Sequence, residues 1–132
     1  MGITMHAAPL TQRERVRTGG LNHLAINVAD LDRSIKFYTD MFNMEVLRQN
    51  KEMAFLHTGG THDSLVLFKA SGPVTPSGVA HFGFAVDDVN FERAKNYIHS
   101  NNIPTVSEER TITDRFLFFR DPDGYVIQVS TI

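Results

Sequence analysis

The feature that most constrains this chain is an internal repeat. "LNHLAINVADLDRSIKFYTDMFNMEV" at residues 21–46 reads as strand, capped helix, strand. "VAHFGFAVDDVNFERAKNYIHSNNIPTV" at residues 79–106 follows the same plan. Each is followed by a pair of short strands. "EMAFLHT" and "DSLVLFKA" flank a "GGTHD" turn, and "RFLFF" and "YVIQVS" flank "RDPDG". The unit is therefore βαβββ, written twice, and a repeat of this length fixes the architecture before any residue is assigned a role. His23 matches His81, and Ala25 matches Gly83, at an offset of 58. Met44-Glu45-Val46 matches Pro104-Thr105-Val106 at 60. Leu65 matches Ile127, and Val66 matches Gln128, at 62. The drift falls in loops and helix ends.

Within each unit the signals are local. Asp30 or Asp32 is expected to cap the first helix, whose apolar stripe is Leu31, Ile35, Tyr38 and Phe42. Asp88 is expected to cap the second. Asp121-Pro122-Asp123-Gly124 is turn chemistry, proline presetting one dihedral and glycine allowing a positive one. The expected organisation is an N-terminal tail, 1–20, and one domain, 21–132. The domain divides into repeat one (21–70), a linker (71–78) containing Pro73 and Pro76, and repeat two (79–132). Two readings stand for the tail. It is frayed or loosely docked, or Thr11 caps a short helix carrying Arg13, Arg15 and Arg17 that Gly19-Gly20 ends.

Strand parity separates two faces, because successive side chains alternate. One face holds Leu24, Ile26, Val28, Leu65, Leu67, Phe82, Phe84, Val86, Tyr125, Ile127 and Val129. It is bulky and apolar, as a helix-covered face must be, and each such side chain is worth roughly 1.5–3 kcal/mol when buried. The other holds His23, Ala25, Asn27, Val66, Phe68, His81, Gly83, Ala85, Val126, Gln128 and Ser130. Ala25, Gly83 and Ala85 leave space that a close-packed interior would fill, so this face is expected to line a cleft. Repeat symmetry carries His23 and His81 toward one another. Imidazole is the commonest ligand of divalent transition metals. Two readings stand: a metal held by both, or histidines that only hydrogen-bond to backbone.

Bulk properties narrow the classes. A net charge of −2 with no basic block points away from nucleic acid. The absence of cysteine excludes disulfides, zinc ribbons and a thiol nucleophile on the chain. No apolar run approaches the roughly 20 residues that span a bilayer, and the N-terminus lacks the apolar stretch of a secretory signal. The expected compartment is the cytoplasm.

The paired units, with "VAHFGFAVDD" and the closing "FRDPDGYVIQV", resemble the vicinal oxygen chelate superfamily over residues 21–132. That superfamily includes glyoxalase I, fosfomycin-resistance enzymes, methylmalonyl-CoA epimerase, extradiol dioxygenases and bleomycin-resistance proteins. The resemblance implies an α+β fold: two βαβββ repeats forming a curved mixed eight-stranded sheet with a central cleft and helices on the outside. It implies ligands from the first and last strand of each repeat, here His23, Val66, His81 and Gln128. Val66 cannot ligate, which leaves His23, His81 and Gln128 as the metal set. Asn27, Val66, Phe68, Phe118 and Arg120 are the expected lining of the cleft. The implied cofactor is a divalent metal (Fe, Mn, Ni or Zn). It is held more weakly than usual, because Gln128 stands where relatives most often carry glutamate and a neutral oxygen attracts a cation less than a carboxylate does.

The implied function is a small metalloenzyme acting on a compact oxygen-rich substrate as an isomerase, lyase, transferase or dioxygenase. The alternative is a metal-free, bleomycin-resistance-like protein that sequesters a small organic molecule. A module that kept the fold and lost the site is a third reading, opposed by the small residues of the cleft. Phe118 stands where ring-cleaving relatives carry a tyrosine, which argues against extradiol chemistry. Neither Val66 nor Gln128 can act as a general base, which argues against glyoxalase chemistry. No catalytic residue is assigned. A homodimer and a small-molecule ligand are the expected partners, with the cleft formed either within one chain or across two. Of the other histidines, parity places His57 away from the cleft. His62 is read as a surface residue of the turn unless that loop covers the cleft, and His99 as a helix-end cation. Arg120 is read as an anion contact or as a partner of Asp121 or Asp123.

Overall fold

The first strand hands directly to a capped helix. In the computed structural model, which describes residues 8–131, β1 (His23–Val28) leads into α1 (Leu31–Phe42). The Asp30 side chain accepts a hydrogen bond from the Arg33 amide at 3.0 Å, and Asn43 closes the helix in the left-handed region with φ 54°. Three strands complete the repeat: β2 (Glu45–Gln49), β3 (Met53–His57) and β4 (Ser64–Lys69). A 3-10 turn at Pro76–Gly78 lies in the linker. The second repeat then runs β5 (Phe82–Val86), α2 (Asp88–Ser100), β6 (Thr105–Arg110), β7 (Arg115–Arg120) and β8 (Val126–Thr131). The cap of α2 is Asp87, one residue before the Asp88 expected from the sequence. Asp87 is still extended (φ −82°, ψ 175°) and accepts from the Asn90 amide at 2.8 Å, whereas Asp88 is already helical.

The fold is α+β with two βαβββ units. The eight strands lie in two four-stranded mixed sheets, β1-β4-β3-β2 and β5-β8-β7-β6. In each, the first strand pairs in parallel with the last, and the remaining neighbours are antiparallel. Register confirms the offset read from the sequence. Ala25 pairs with Val66 in the first sheet, and Gly83 pairs with Gln128 in the second.

The apolar faces of both sheets feed one core. It contains Ile26, Val28, Leu56, Leu65 and Leu67 of the first repeat and Phe91, Leu117, Phe119, Ile127 and Val129 of the second. Helix α1 packs on its own sheet and also reaches the other repeat. The Phe42 ring lies 4.8 Å from Phe84 and 6.4 Å from Phe119, centroid to centroid.

The "DPDG" turn fastens the repeats together. Asp121 accepts hydrogen bonds from the Tyr38 hydroxyl at 2.6 Å and from the Asp123 and Tyr125 amides. Asp123, its side chain 2% exposed, accepts from the Ala29 amide (2.9 Å), Ser34 Oγ (3.3 Å) and Arg33 Nη2 (3.3 Å). The Tyr125 hydroxyl donates to the Asn27 carbonyl at 2.7 Å. Gly124 supplies the positive φ (95°) that the turn needs. Burial raises the Asp121 carboxyl above the ordinary aspartate value, and burial together with the Asp121 charge raises the Tyr38 hydroxyl well above that of tyrosine.

Residues 8–20 of the tail are exposed and contain a single turn, with the Glu14 and Arg15 amides both bonded to the Thr11 carbonyl at 3.1 Å. Thr11 makes the capping contacts expected of it, but no helix follows. The first seven residues of the tail lie outside the described residues. No described helix is long and apolar enough to cross a membrane.

Candidate metal centre

The expected site residues fall into two groups, one on each sheet. His23, Ala25 and Asn27 of β1 are exposed on the face opposite the core, with Val66 and Phe68 of β4 beside them. His81, Gly83 and Ala85 are exposed on the corresponding face of the second sheet, next to Gln128 and Phe118. Because both apolar faces turn toward one core, these two faces turn outward from it.

In the first group the His23 ring is held by its neighbour in sequence. Its Nδ1 lies 2.5 Å from Asn22 Oδ1. An amide oxygen only accepts, so Nδ1 is the donor in this bond, and Nε2 takes part in none of the described bonds. The histidine borders a cavity of about 250 Å³ lined by Asn22, Ala25, Phe55, His62, Ser64, Val66 and Phe68, all from the first repeat. Val66 is 2% exposed and offers only methyl groups.

In the second group the imidazole of His81 stands edge-on to Phe118, 5.5 Å between ring centroids. Phe118 is the antiparallel partner of Gln128, and Gly83 is its parallel partner. A Cβ at Gly83 would lie 3.0 Å from the Gln128 carbonyl oxygen and 3.2 Å from its Cβ. Glycine thus permits the close approach of β5 to the strand that carries Gln128.

The donor set fits a divalent transition metal: imidazole nitrogens and an amide oxygen, small neighbours, and one imidazole already oriented by its other nitrogen. It is divided between faces, however. Among the described residues of one chain, no three histidine, aspartate or glutamate side chains come together to hold an ion.

The remaining residues sort clearly. Asn27 uses its backbone carbonyl for Tyr125, and its side chain stays on the outward face. Phe68 is 39% exposed and borders the His23 cavity. Arg120 donates from Nη1 to the Gly124 carbonyl at 3.0 Å, so it closes its own turn rather than pairing with Asp121 or Asp123. His57 corrects the parity expectation. Its antiparallel partner is Ser64, which is also the parallel partner of His23, so His57 lies on the outward face. Its Nε2 bonds to the Gly60 carbonyl at 2.8 Å and thereby braces the loop. His62 is exposed and lies on the wall of the His23 cavity, so the turn that carries it borders this face, the alternative the sequence left open. The orienting role of Asn22 was missed; its only sequence signal is an amide immediately before the histidine.

Comparisons with known proteins bear on the family and the fold. The family described as Glyoxalase/Bleomycin resistance protein/Dioxygenase superfamily matches residues 20–129. The metallothiol transferase FosB of Staphylococcus epidermidis is 29% identical over 115 residues, covering 84% of this chain and 80% of that one. A probable lactoylglutathione lyase of Vibrio parahaemolyticus is 30% identical over 123 residues, covering 84% and 89%. The crystal structure of the fosfomycin resistance protein FosX from Listeria monocytogenes superposes with a TM-score of 0.75 at 17% identity, covering 88% of this chain and 95% of that one.

Proposed function

The chain belongs to the Glyoxalase/Bleomycin resistance protein/Dioxygenase superfamily, and from that premise we propose that it is a small metal-dependent enzyme whose site is completed by a second copy of itself. His23 of one copy and the His81–Gln128 pair of the other are the ligands. The observation that carries this reading is the division of the donors between two outward faces, each bordered by an edge strand, β1 or β5. A second copy related by twofold symmetry would bring a β1 face against a β5 face twice, giving two equivalent sites. It would also cover edges that otherwise present unpaired backbone groups.

A divalent metal bound there would act as a Lewis acid toward an oxygen of the substrate. The residues of the chain do the rest. Ala25, Gly83 and Ala85 leave room for a compact molecule beside the ligands. Phe68 and Phe118 supply apolar walls, and Asn27 offers an amide for orientation.

Among the chemistries of the relatives, group transfer fits best. FosB carries the name metallothiol transferase. An addition in which an external thiol supplies the nucleophile asks less of the protein than an isomerisation, which needs a base where Val66 and Gln128 offer none. With no cysteine in the chain, such a thiol must arrive with a co-substrate.

Calorimetric titration of untagged protein with manganese, iron(II), nickel and zinc tests this reading. One ion per chain is expected, with affinity lost at least 100-fold in His23→Ala and in His81→Ala. Absence of binding for every ion would overturn it in favour of a metal-free binding protein.

A further inference from the structure

We propose that His62 is a further metal ligand, presented by the β3–β4 loop to do what Val66 cannot; the inference rests on the metal reading above. In each repeat, the last-strand residue paired with the small first-strand residue faces outward toward the site: Gln128 opposite Gly83, and Val66 opposite Ala25. Gln128 brings an oxygen. Val66 brings none, yet the cavity it borders holds two imidazoles, those of His23 and His62. The third histidine on this side, His57, is bonded to the Gly60 carbonyl. His62 is exposed and follows Gly59-Gly60-Thr61, where the chain leaves β3. The loop is braced at its base by His57, and by bonds from the Thr58 amide and hydroxyl to the Asp63 carbonyl, both 3.5 Å. His62 is thus carried on the wall of the cavity by a loop with bonds at its base, and its ring nitrogens take part in none of the described bonds.

A fourth donor changes the character of the site. Three imidazoles and one amide oxygen form a neutral set. Such a set favours borderline ions (cobalt, nickel, zinc) over hard magnesium and manganese, which are served better by carboxylates. It also makes up for the charge missing at Gln128, because imidazole binds these ions strongly without one.

The test uses cobalt(II) alone as probe on the full chain, reading affinity and visible absorption. His62→Ala is expected to weaken cobalt binding at least tenfold and to alter the ligand-field bands. His62→Asp, which keeps a donor, restores most of the affinity. His99→Ala, on the exposed end of α2, leaves both readouts unchanged. Binding equal to wild type in His62→Ala, with an identical spectrum, overturns the role of His62 while His23→Ala and His81→Ala still abolish binding. Loss of affinity in His62→Ala but not in His23→Ala also overturns it, because the ion would then lie elsewhere. No cobalt binding by wild type brings down the metal reading itself. Thermal unfolding of each metal-free variant keeps misfolding distinct from ligand loss.

Discussion

The two repeats carry the same elements and use them differently, most visibly in the turn before the last strand. In the second repeat that turn is "DPDG", and both of its carboxylates are engaged: Asp121 by Tyr38 and two amides, Asp123 by three donors at the start of α1. In the first repeat it is "GGTHD". There the Asp63 Oδ1 is buried with no hydrogen-bond partner, and His62 faces a cavity. One turn is fastened to the other repeat, and its strand carries Gln128, the proposed oxygen ligand. The other turn is free of that duty, and its strand carries Val66. The second-repeat turn therefore joins the repeats, whereas the first-repeat turn makes no such side-chain bonds among the described residues.

The sharpest way to break this comparison is to remove each carboxylate in turn. Asp123→Ala leaves the Ala29 amide, Ser34 hydroxyl and Arg33 without their shared acceptor, and we expect a loss of about 2–4 kcal/mol by urea unfolding. Asp63→Ala removes a group that makes no side-chain bond, and its effect is expected within about 1 kcal/mol. Similar losses for the two variants would contradict the division of labour. A smaller effect comes from Tyr38→Phe. It removes the donor to Asp121 while keeping the ring against Phe37 and Phe42, and should cost about 1–2 kcal/mol.

The strand that carries Gln128 gives a comparable handle. Gln128→Glu keeps side-chain length and adds a negative charge beside His81. Divalent-ion affinity should rise tenfold or more, each tenfold being about 1.4 kcal/mol, with a matching rise in metal-linked melting temperature. No gain for any ion would mean that Gln128 does not face the metal.

The smallest effect is one of pH. Burial raises the folded-state value of Asp121, so the folded chain holds that proton more tightly than the unfolded chain does. The resulting stabilisation is complete below the unfolded aspartate value, near pH 4, and fades as pH rises through the raised folded value. Wild-type stability relative to Asp121→Asn should therefore increase on acidification from neutral toward about pH 4. A relative decrease over that range would contradict the assignment.

Much of this was legible before the structure. Alternation along "HLAINV" and "YVIQVS" gave both faces, and the offsets placed Gln128 opposite Gly83, as the register shows. Local periodicity and repeat arithmetic suffice for such features because they depend on neighbours along one strand. Three things were not legible. The bonds of Asp121 and Asp123 join residues some ninety positions apart, and turn propensity explains "DPDG" without them. The face of His57 depends on hairpin register, which fixes its pairing with Ser64. That the two polar faces turn away from a shared core follows from how α1 meets Phe84 and Phe119, a tertiary fact with no sequence period.

The central claim is that a working site needs His23 from one copy and His81 with Gln128 from another. Mixing the purified variants His23→Ala and His81→Ala, each unable to bind metal, tests it most directly. After subunit exchange, the hybrid pair carries one site with both substitutions and one with none. We therefore expect cobalt(II) or nickel binding to reappear in the mixture, approaching one ion per hybrid dimer, with the ligand-field spectrum of wild type. If every site lay within one chain, no hybrid would contain an intact one. Continued absence of binding after proven exchange would contradict the account.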